Sequence, residues 1–385
     1  MKKILLVDDE SEVLMALSRM FPETDYEIFT AESGMDALSL IEANHIDMVI
    51  SDMHMPVLDG YKLLSVIKEK YPKIIRIILS GYAEEKPMFR ALLHNVAKLY
   101  VFKPWNNNEL LQNVDKLFSD EVVLNSDGLM KLIEDNCCSF DIPENCRKLI
   151  SLIETEDLDG FVKELEQEPE ISALLLEVVN SAVYGVMPKS IHKAASYIGL
   201  HNLKSFMHWA CIMRTLEEAK AEGFEPGLLY QQAYLTNRIF LFFYETFLHK
   251  QPPEAAMFAG LMHNIGLILL IKNLQKSGAY TASGQSADEY FLELGDYMIS
   301  HQEAGGHFLE TWDLPFPMYE VALYHHRPGD PGIVNSELVS AVHIAQHYAW
   351  RALGAENLPA ISEQVFEQLE VSQSDFEKRL ARYLK

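Results

Sequence analysis

Cysteine, positive charge and long apolar runs are all scarce in this 385-residue sequence. The four cysteines are Cys137, Cys138, Cys146 and Cys211. None forms a CxxC pair, their density is too low for a disulfide framework, and free thiols in a reducing compartment are expected. Lys and Arg number 32 against 56 Asp and Glu, for a net charge of −24. Residues 1–120 carry 19 acids and 13 bases, and the remainder 37 and 19. An acid excess of this size repels phosphate backbones. With no dense Lys/Arg cluster and no basic recognition helix, nucleic-acid binding is not expected. The first apolar run, Ile4–Val7, is too short for a signal peptide and meets three acids at once. The longest, Ala255–Ile271, is interrupted by His263 and Asn264 and is short for a membrane span. It predicts a buried core helix. A cytoplasmic chain with no membrane partner is expected.

The rest of the composition is ordinary: 49% hydrophobic and 23% charged residues. The length allows two or three domains. No internal repeat or low-complexity tract is evident.

The chain divides into two halves with different periods. In residues 1–118, Ile4–Val7, Met48–Ile50, Ile74–Leu79 and Leu99–Phe102 are short aliphatic runs suited to buried parallel strands. Tyr26–Thr30 is a weaker fifth. Amphipathic segments such as Glu12–Phe21 and Met35–Ala43 lie between them. This alternation predicts a doubly wound α/β domain with a five-stranded parallel sheet, whose ligands sit at the carboxyl ends of the strands. Beyond about residue 119 strand runs largely vanish and helical patterns predominate. Residues 121–141 read as a linker or a helix extension, residues 142–385 as a second, all-α domain, and Lys276–Ala287 as a surface loop.

The strand ends of the first half carry chemistry. The first strand runs into Asp8, Asp9 and Glu10, the third into Ser51 and Asp52, the fourth into Ser80 and Gly81, and the fifth into Lys103 and Pro104. On neighbouring strands, Asp8, Asp9 and Asp52 share one rim. Three carboxylates repel one another unless a cation joins them. Mg²⁺ takes oxygen ligands and keeps water. A carboxylate beside Mg²⁺, a lysine and a hydroxyl is equipped to accept a phosphoryl group. One acidic strand end is easily fortuitous; four strand ends in the right places are not.

The segments "LLVDDE", "ISDMHMPVLDGYKLL", "IILSGYAE" and "LYVFKPW" resemble the response-regulator receiver domain, which has a flavodoxin-like fold. The resemblance implies Asp52 as phosphoacceptor. It implies Asp8, Asp9, Asp52 and the His54 backbone carbonyl as Mg²⁺ ligands, and Ser80 and Lys103 as phosphoryl contacts. Tyr100 becomes the switch aromatic, turning inward as the Ser80–Glu85 loop closes. A sensor histidine kinase is the implied donor. The face around the fifth strand would then change its dimerisation or its docking to an output partner. The ending "KPW", with Trp105, resembles receivers that precede HD-type output domains.

In the second half, Pro143 opens a helical region. Leu174, Leu175, Val178 and Val179 form a core stripe, and Asn180 and Ser181 then suit a helix C-terminus. "PEISALLLEVVNSAVYG" and "IHKAASYIGLHNL" resemble the HDOD domain, a helical relative of HD phosphohydrolases. "AAMFAGLMHNIGLILL" and "VSAVHIAQHYA" follow the same order, so that the resemblance covers roughly 140–350. Glu168 stands where Asp is more usual, and Ile198 precedes Gly199 where Leu is typical.

The HD-type resemblance directs attention to His263, Asn264, His301, His325, His326 and His343. Asn264 stands where HD hydrolases carry the central Asp, and no late acid follows His343. A neutral amide supplies no bridging charge, and little remains to lower the pKa of a metal-bound water. Three readings stay open: packed core histidines; a mononuclear metal site, with His343 and His347 spaced i, i+4 to share a ligand; and a retained two-metal hydrolase acting on a nucleotide or cyclic dinucleotide. The non-catalytic protein-interaction reading is the expectation. The tail, with a helix start at Ser372–Phe376, is expected to pack on this domain, a partner helix being the alternative.

Overall fold

The computed structural model describes residues 1–21, 26–81, 95–126, 129–130, 143–180, 188, 190–217, 226–268, 291–294, 297–355, 358, 360–362 and 364–385. It divides into two compact units, Met1–Glu121 and Val122–Lys385.

In the first unit, β1 (Lys2–Val7), β2 (Tyr26–Ala31), β3 (Met48–Asp52), β4 (Ile75–Gly81) and β5 (Leu99–Lys103) form one parallel sheet in the order β2-β1-β3-β4-β5. Helices α1 (Ser11–Ser18), α2 (Gly34–Ala43) and α3 (Gly60–Lys70) join successive strands, and Asn107–Leu124 forms α4. All five predicted strands are present, the weak Tyr26–Thr30 run included. Ile4–Val7, Met48–Ile50 and Ile77–Leu79 are buried, as central strands covered on both faces must be. The register sets Val7 beside Ser51, Asp52 beside Leu79, and Gly81 beside Lys103. Four strands therefore deliver their last residues to one rim. The Ser80–Glu85 loop lies outside the described residues beyond Gly81.

The second unit is mainly helical. It begins with α5 (Glu144–Glu154), α6 (Leu158–Leu165) and α7 (Pro169–Val179). Helix α7 ends with Asn180 as its C-cap, as predicted. Helix α8 (Ile191–Glu217) is broken at Gly199, whose φ of 75° lies in the left-handed region that glycine enters without strain. Helix α9 (Pro226–Phe243) is followed by α10 (Ala259–Met262), α11 (His301–Thr311), α12 (Phe316–Tyr324), α13 (Ser336–Ala352), α14 (Gln364–Gln368) and α15 (Gln373–Tyr383). Ser372 caps α15, and its Phe376 is fully buried against Phe243, Phe247, Tyr348 and Phe366. The tail thus packs on its own domain. No helix of the described residues is long and apolar enough to cross a membrane.

The structure departs from three expectations. The Ala255–Ile271 run is not one helix: a 3-10 turn at Glu254–Ala256 and the four-residue α10 precede a turn at His263 and Asn264. The polar pair is needed elsewhere, and the chain bends to deliver it. The helical half also contains a two-stranded antiparallel ladder, β6 (Phe291–Leu294) with β7 (Tyr297–Ser300). Two four-residue runs are too short to stand out against helical periodicity. Cys146 and Cys211 are not free thiols but form a disulfide, with Cα atoms 6.3 Å apart and a sequence separation of 65. Sequence spacing carries no sign of such a non-local meeting of α5 and α8. Cys137, Cys138 and the Lys276–Ala287 segment lie outside the described residues.

Candidate functional site

The rim of the first unit is organised by one lysine. Lys103, the last residue of β5, places Nζ 2.8 Å from Asp8 Oδ2 and also in contact with Asp52 Oδ1. The other Asp8 oxygen accepts from the Glu10 backbone N–H at 2.9 Å, and Asp52 Oδ2 accepts from the His54 N–H at 2.7 Å. Asp8 and Asp52 are buried, and Asp9 is exposed on the rim. Burial raises Asp52 above the usual carboxylate range, and the Lys103 contact offsets only part of that. For Lys103, burial pulls down, but its bonds to Asp52 and Asp8 outweigh it and hold the amine above its ordinary value. The two shifts point in opposite senses for an ion pair. The raised lysine is the firmer sign, since Lys103 faces two carboxylates at once. Ser80, at the end of β4, is buried and approaches the Gly81 carbonyl at 3.4 Å. Tyr100 lies one strand residue before Val101, half-buried, with its ring 6.1 Å from that of Phe102.

The donor set fits a hard cation: carboxylate oxygens, a backbone carbonyl at His54 and an exposed third acid. Lys103 draws Asp8 and Asp52 together, and Asp9, the next residue after Asp8, is exposed.

Histidines form a second centre, in the helical unit. His301 is the first residue of α11, fixed by a capping box in which Ser300 Oγ accepts from Glu303 N–H and Glu303 Oε2 accepts from Ser300 N–H. His325 and His326 follow α12. His301 Nε2 lies 3.3 Å from His325 Nε2 and 3.1 Å from His326 Nε2. These are the one group of three potential ligand residues, among those described, with donor atoms within 4.8 Å of one another. Gly266 makes this possible: a Cβ there would collide with the His301 carbonyl and the Gly305 amide.

His263 and Asn264 adjoin the cluster but are held by Gln232, a residue on α9 that no sequence signal singled out. Gln232 Nε2 lies 3.2 Å from His263 Nε2, and Asn264 Nδ2 donates to Gln232 Oε1 at 3.4 Å. His263 Nδ1 donates to the Gly260 carbonyl at 2.8 Å. Burial pushes the His263 imidazole down to about 3 and holds His325 well below its ordinary value, so both stay neutral. His343 is engaged through both ring nitrogens. Its Nδ1 donates to the His325 carbonyl at 2.7 Å, and its Nε2 accepts from Ser362 N–H at 3.2 Å. Both ring nitrogens are spent on the backbone, so His343 braces the cluster and does not join it. The nearby buried carboxylate, Glu320, is committed to Val334 N–H and to the backbone and side-chain amides of Asn335.

Residues 4–115 match the family model of the response regulator receiver domain, and residues 141–328 match that of the HDOD domain. The chain joins a receiver domain to an HDOD domain. Similar proteins match over about 30% of the chain. The hydrogenase transcriptional regulatory protein HoxA of Cupriavidus necator is 30% identical over 111 residues, 29% of this chain and 23% of that protein. An uncharacterized response regulatory protein of Staphylococcus epidermidis is 36% identical over 120 residues, 30% of this chain and 47% of that protein. The chain thus spans a quarter to a half of these curated relatives. Among solved structures, the signal receiver domain of an HD domain-containing protein from Pseudomonas fluorescens Pf-5 is 32% identical, covering 31% of this chain and 96% of that one, with a TM-score of 0.30.

Proposed function

We propose that the chain is a phosphorylation-dependent signalling regulator whose receiver takes a phosphoryl group on Asp52 and whose HDOD domain responds through protein contacts, not catalysis. The observation that supports it best is Lys103 Nζ lying between Asp8 and Asp52 at adjacent strand ends. An ionised Asp52 oxygen attacks phosphorus, the bond from phosphorus to the donor breaks, and the donor nitrogen of a sensor kinase's phosphohistidine leaves. Asp8, Asp9, Asp52 and the His54 carbonyl would hold Mg²⁺, which when bound supplies positive charge beside the phosphoryl oxygens. Lys103 exchanges its Asp52 partner for a phosphoryl oxygen. Ser80 donates its hydroxyl to another. Tyr100 then turns inward, and the face around β5 changes its affinity for a second copy of the chain or for a downstream signalling protein.

Non-catalytic output is supported by the chemistry of the histidine cluster. Asn264 and Gln346 are amides, and among the described residues no carboxylate joins His301, His325 and His326. The phosphohydrolase alternative lacks the charge that would make a bound water nucleophilic. A cytoplasmic setting accords with a kinase partner.

Labelling by acetyl phosphate or a kinase tests the reading. Asp52→Asn is expected to abolish Mg²⁺-dependent label while the fold persists by circular dichroism. Undiminished label in that variant would move the phosphoacceptor elsewhere.

A further inference from the structure

We propose that His301, His325 and His326 bind one divalent first-row transition-metal cation through three neutral imidazoles. The hydrogen-bond partners of each imidazole fix its ring protons. His325 Nδ1 lies 2.9 Å from the Ala322 carbonyl and 3.2 Å from that of Val321, so Nδ1 carries the hydrogen and Nε2 presents a lone pair. Gln346 Nε2 donates to the His325 carbonyl at 3.2 Å and to His326 Nδ1 at 3.2 Å. A neutral His326 therefore carries its hydrogen on Nε2. His301 Nε2 must then face a lone pair on one side and an N–H on the other. Whichever tautomer His301 adopts, one of its two contacts is mismatched.

A cation removes the conflict. Three ligands at about 2.0–2.1 Å on a tetrahedral ion stand about 3.3 Å apart. The observed separations from His301 are 3.3 and 3.1 Å. The Gln346 amide supplies the one adjustment needed. Its Oε1 is fully buried without a hydrogen-bond partner among the described residues. Turned over, Oε1 accepts from a hydrogen on His326 Nδ1, and all three Nε2 lone pairs point at the centre. The His325 carbonyl loses the amide but keeps its 2.7 Å bond from His343. The outer contacts are those that orient metal-bound imidazoles elsewhere: a backbone carbonyl behind His325 and an amide oxygen behind His326. His326 is partly exposed, which gives the ion an entry path. Imidazole nitrogen without carboxylate favours Zn²⁺, Co²⁺, Ni²⁺ or Cu²⁺ over Mg²⁺ or Ca²⁺. The cation ties the start of α11 to the end of α12.

The test uses the full chain, tag-free and stripped with chelator, in excess Mg²⁺ so that the acidic rim is not a competitor. Co²⁺ is titrated and read by its visible d–d bands. The expected result is one equivalent bound, displaced by Zn²⁺, retained in Asp52→Asn and weakened at least tenfold in His326→Gln. That variant changes a partly exposed side chain, and circular dichroism confirms its fold. Gln346→Glu places an acceptor behind His326 and is expected to tighten binding, whereas Gln346→Leu weakens it about 10–100-fold. No bands, bands that vanish in Asp52→Asn, or bands unchanged in both His326→Gln and Gln346→Leu would overturn the proposal.

Discussion

At the scale of single residues, two titratable side chains carry measurable consequences. Lys103 is shared by Asp8 and Asp52, and its replacement by Ala leaves two acids without their common counterion. Mg²⁺ still finds its carboxylates, so Lys103→Ala is expected to bind Mg²⁺ but fail to convert Asp52 phosphorylation into a conformational response. Tryptophan fluorescence or proteolysis reads this; an unchanged response would remove Lys103 from the switch. His208 offers a pH test away from both centres. It is fully buried, stacked on Trp312, and its Nδ1 faces the Lys204 carbonyl at 2.9 Å. Burial pushes its imidazole down to about 4, from an ordinary value of 6.5. Between those two values the unfolded chain binds the proton and the folded chain does not. Its contribution is complete above pH 6.5 and is lost as pH falls towards 4, at about 1.4 kcal/mol per pH unit. His208→Phe keeps an aromatic on Trp312, and its unfolding free energy between pH 4.5 and 6.5 should slope less steeply by about one proton. An equal slope in wild type and variant would show that His208 titrates normally.

At the scale of elements, the histidine cluster depends on how one helix begins. Ser300 and Glu303 satisfy each other's backbone amides at the start of α11, and His301 is the next residue after the cap. Ser300→Ala removes one half of that box and is expected to cost about 1 kcal/mol in denaturant unfolding. The same variant should broaden the His301 ring signals in an NMR spectrum, because the first turn frays where the ring is anchored. Sharp, unshifted signals would mean that packing alone holds the ring. The broken helix around Asn264 follows a similar logic. An apolar run of this kind is compatible with a buried straight helix. The turn at His263 and Asn264 instead carries both side chains to Gln232.

At the scale of the whole molecule, the chain divides into two compact units between Glu121 and Val122. Two cores of this kind are expected to give two calorimetric transitions. Mg²⁺ with beryllofluoride, a phosphoryl mimic, should raise only the receiver transition, since a ligand stabilises the fold that binds it. One merged transition, shifting as a unit, would show that the domains unfold cooperatively. The acid excess, with net charge −24, adds a general repulsion towards nucleic acid that no local feature of the sequence reverses.

Much of the molecule was determined by sequence alone, because the controlling interactions are local or repeat along the chain. Buried strands announce themselves as aliphatic runs, and their ends carry Asp8, Asp52, Ser80 and Lys103 in an order that only a parallel sheet brings to one rim. The helix end at Asn180, the break at Gly199 and the cap at Ser372 are equally local. Tertiary structure decided the rest. His301, His325 and His326 come from two helices and meet only after both are packed. Which ring nitrogen faces the centre depends on carbonyls and amides, such as those of Ala322 and Gln346, that sequence spacing does not relate. His343 looked equivalent to its neighbours until the Ser362 amide and the His325 carbonyl occupied its ring. The Cys146–Cys211 bond likewise needed the approach of α5 to α8. A periodic pattern records which face of an element is buried; the partner it is buried against is a property of the folded chain.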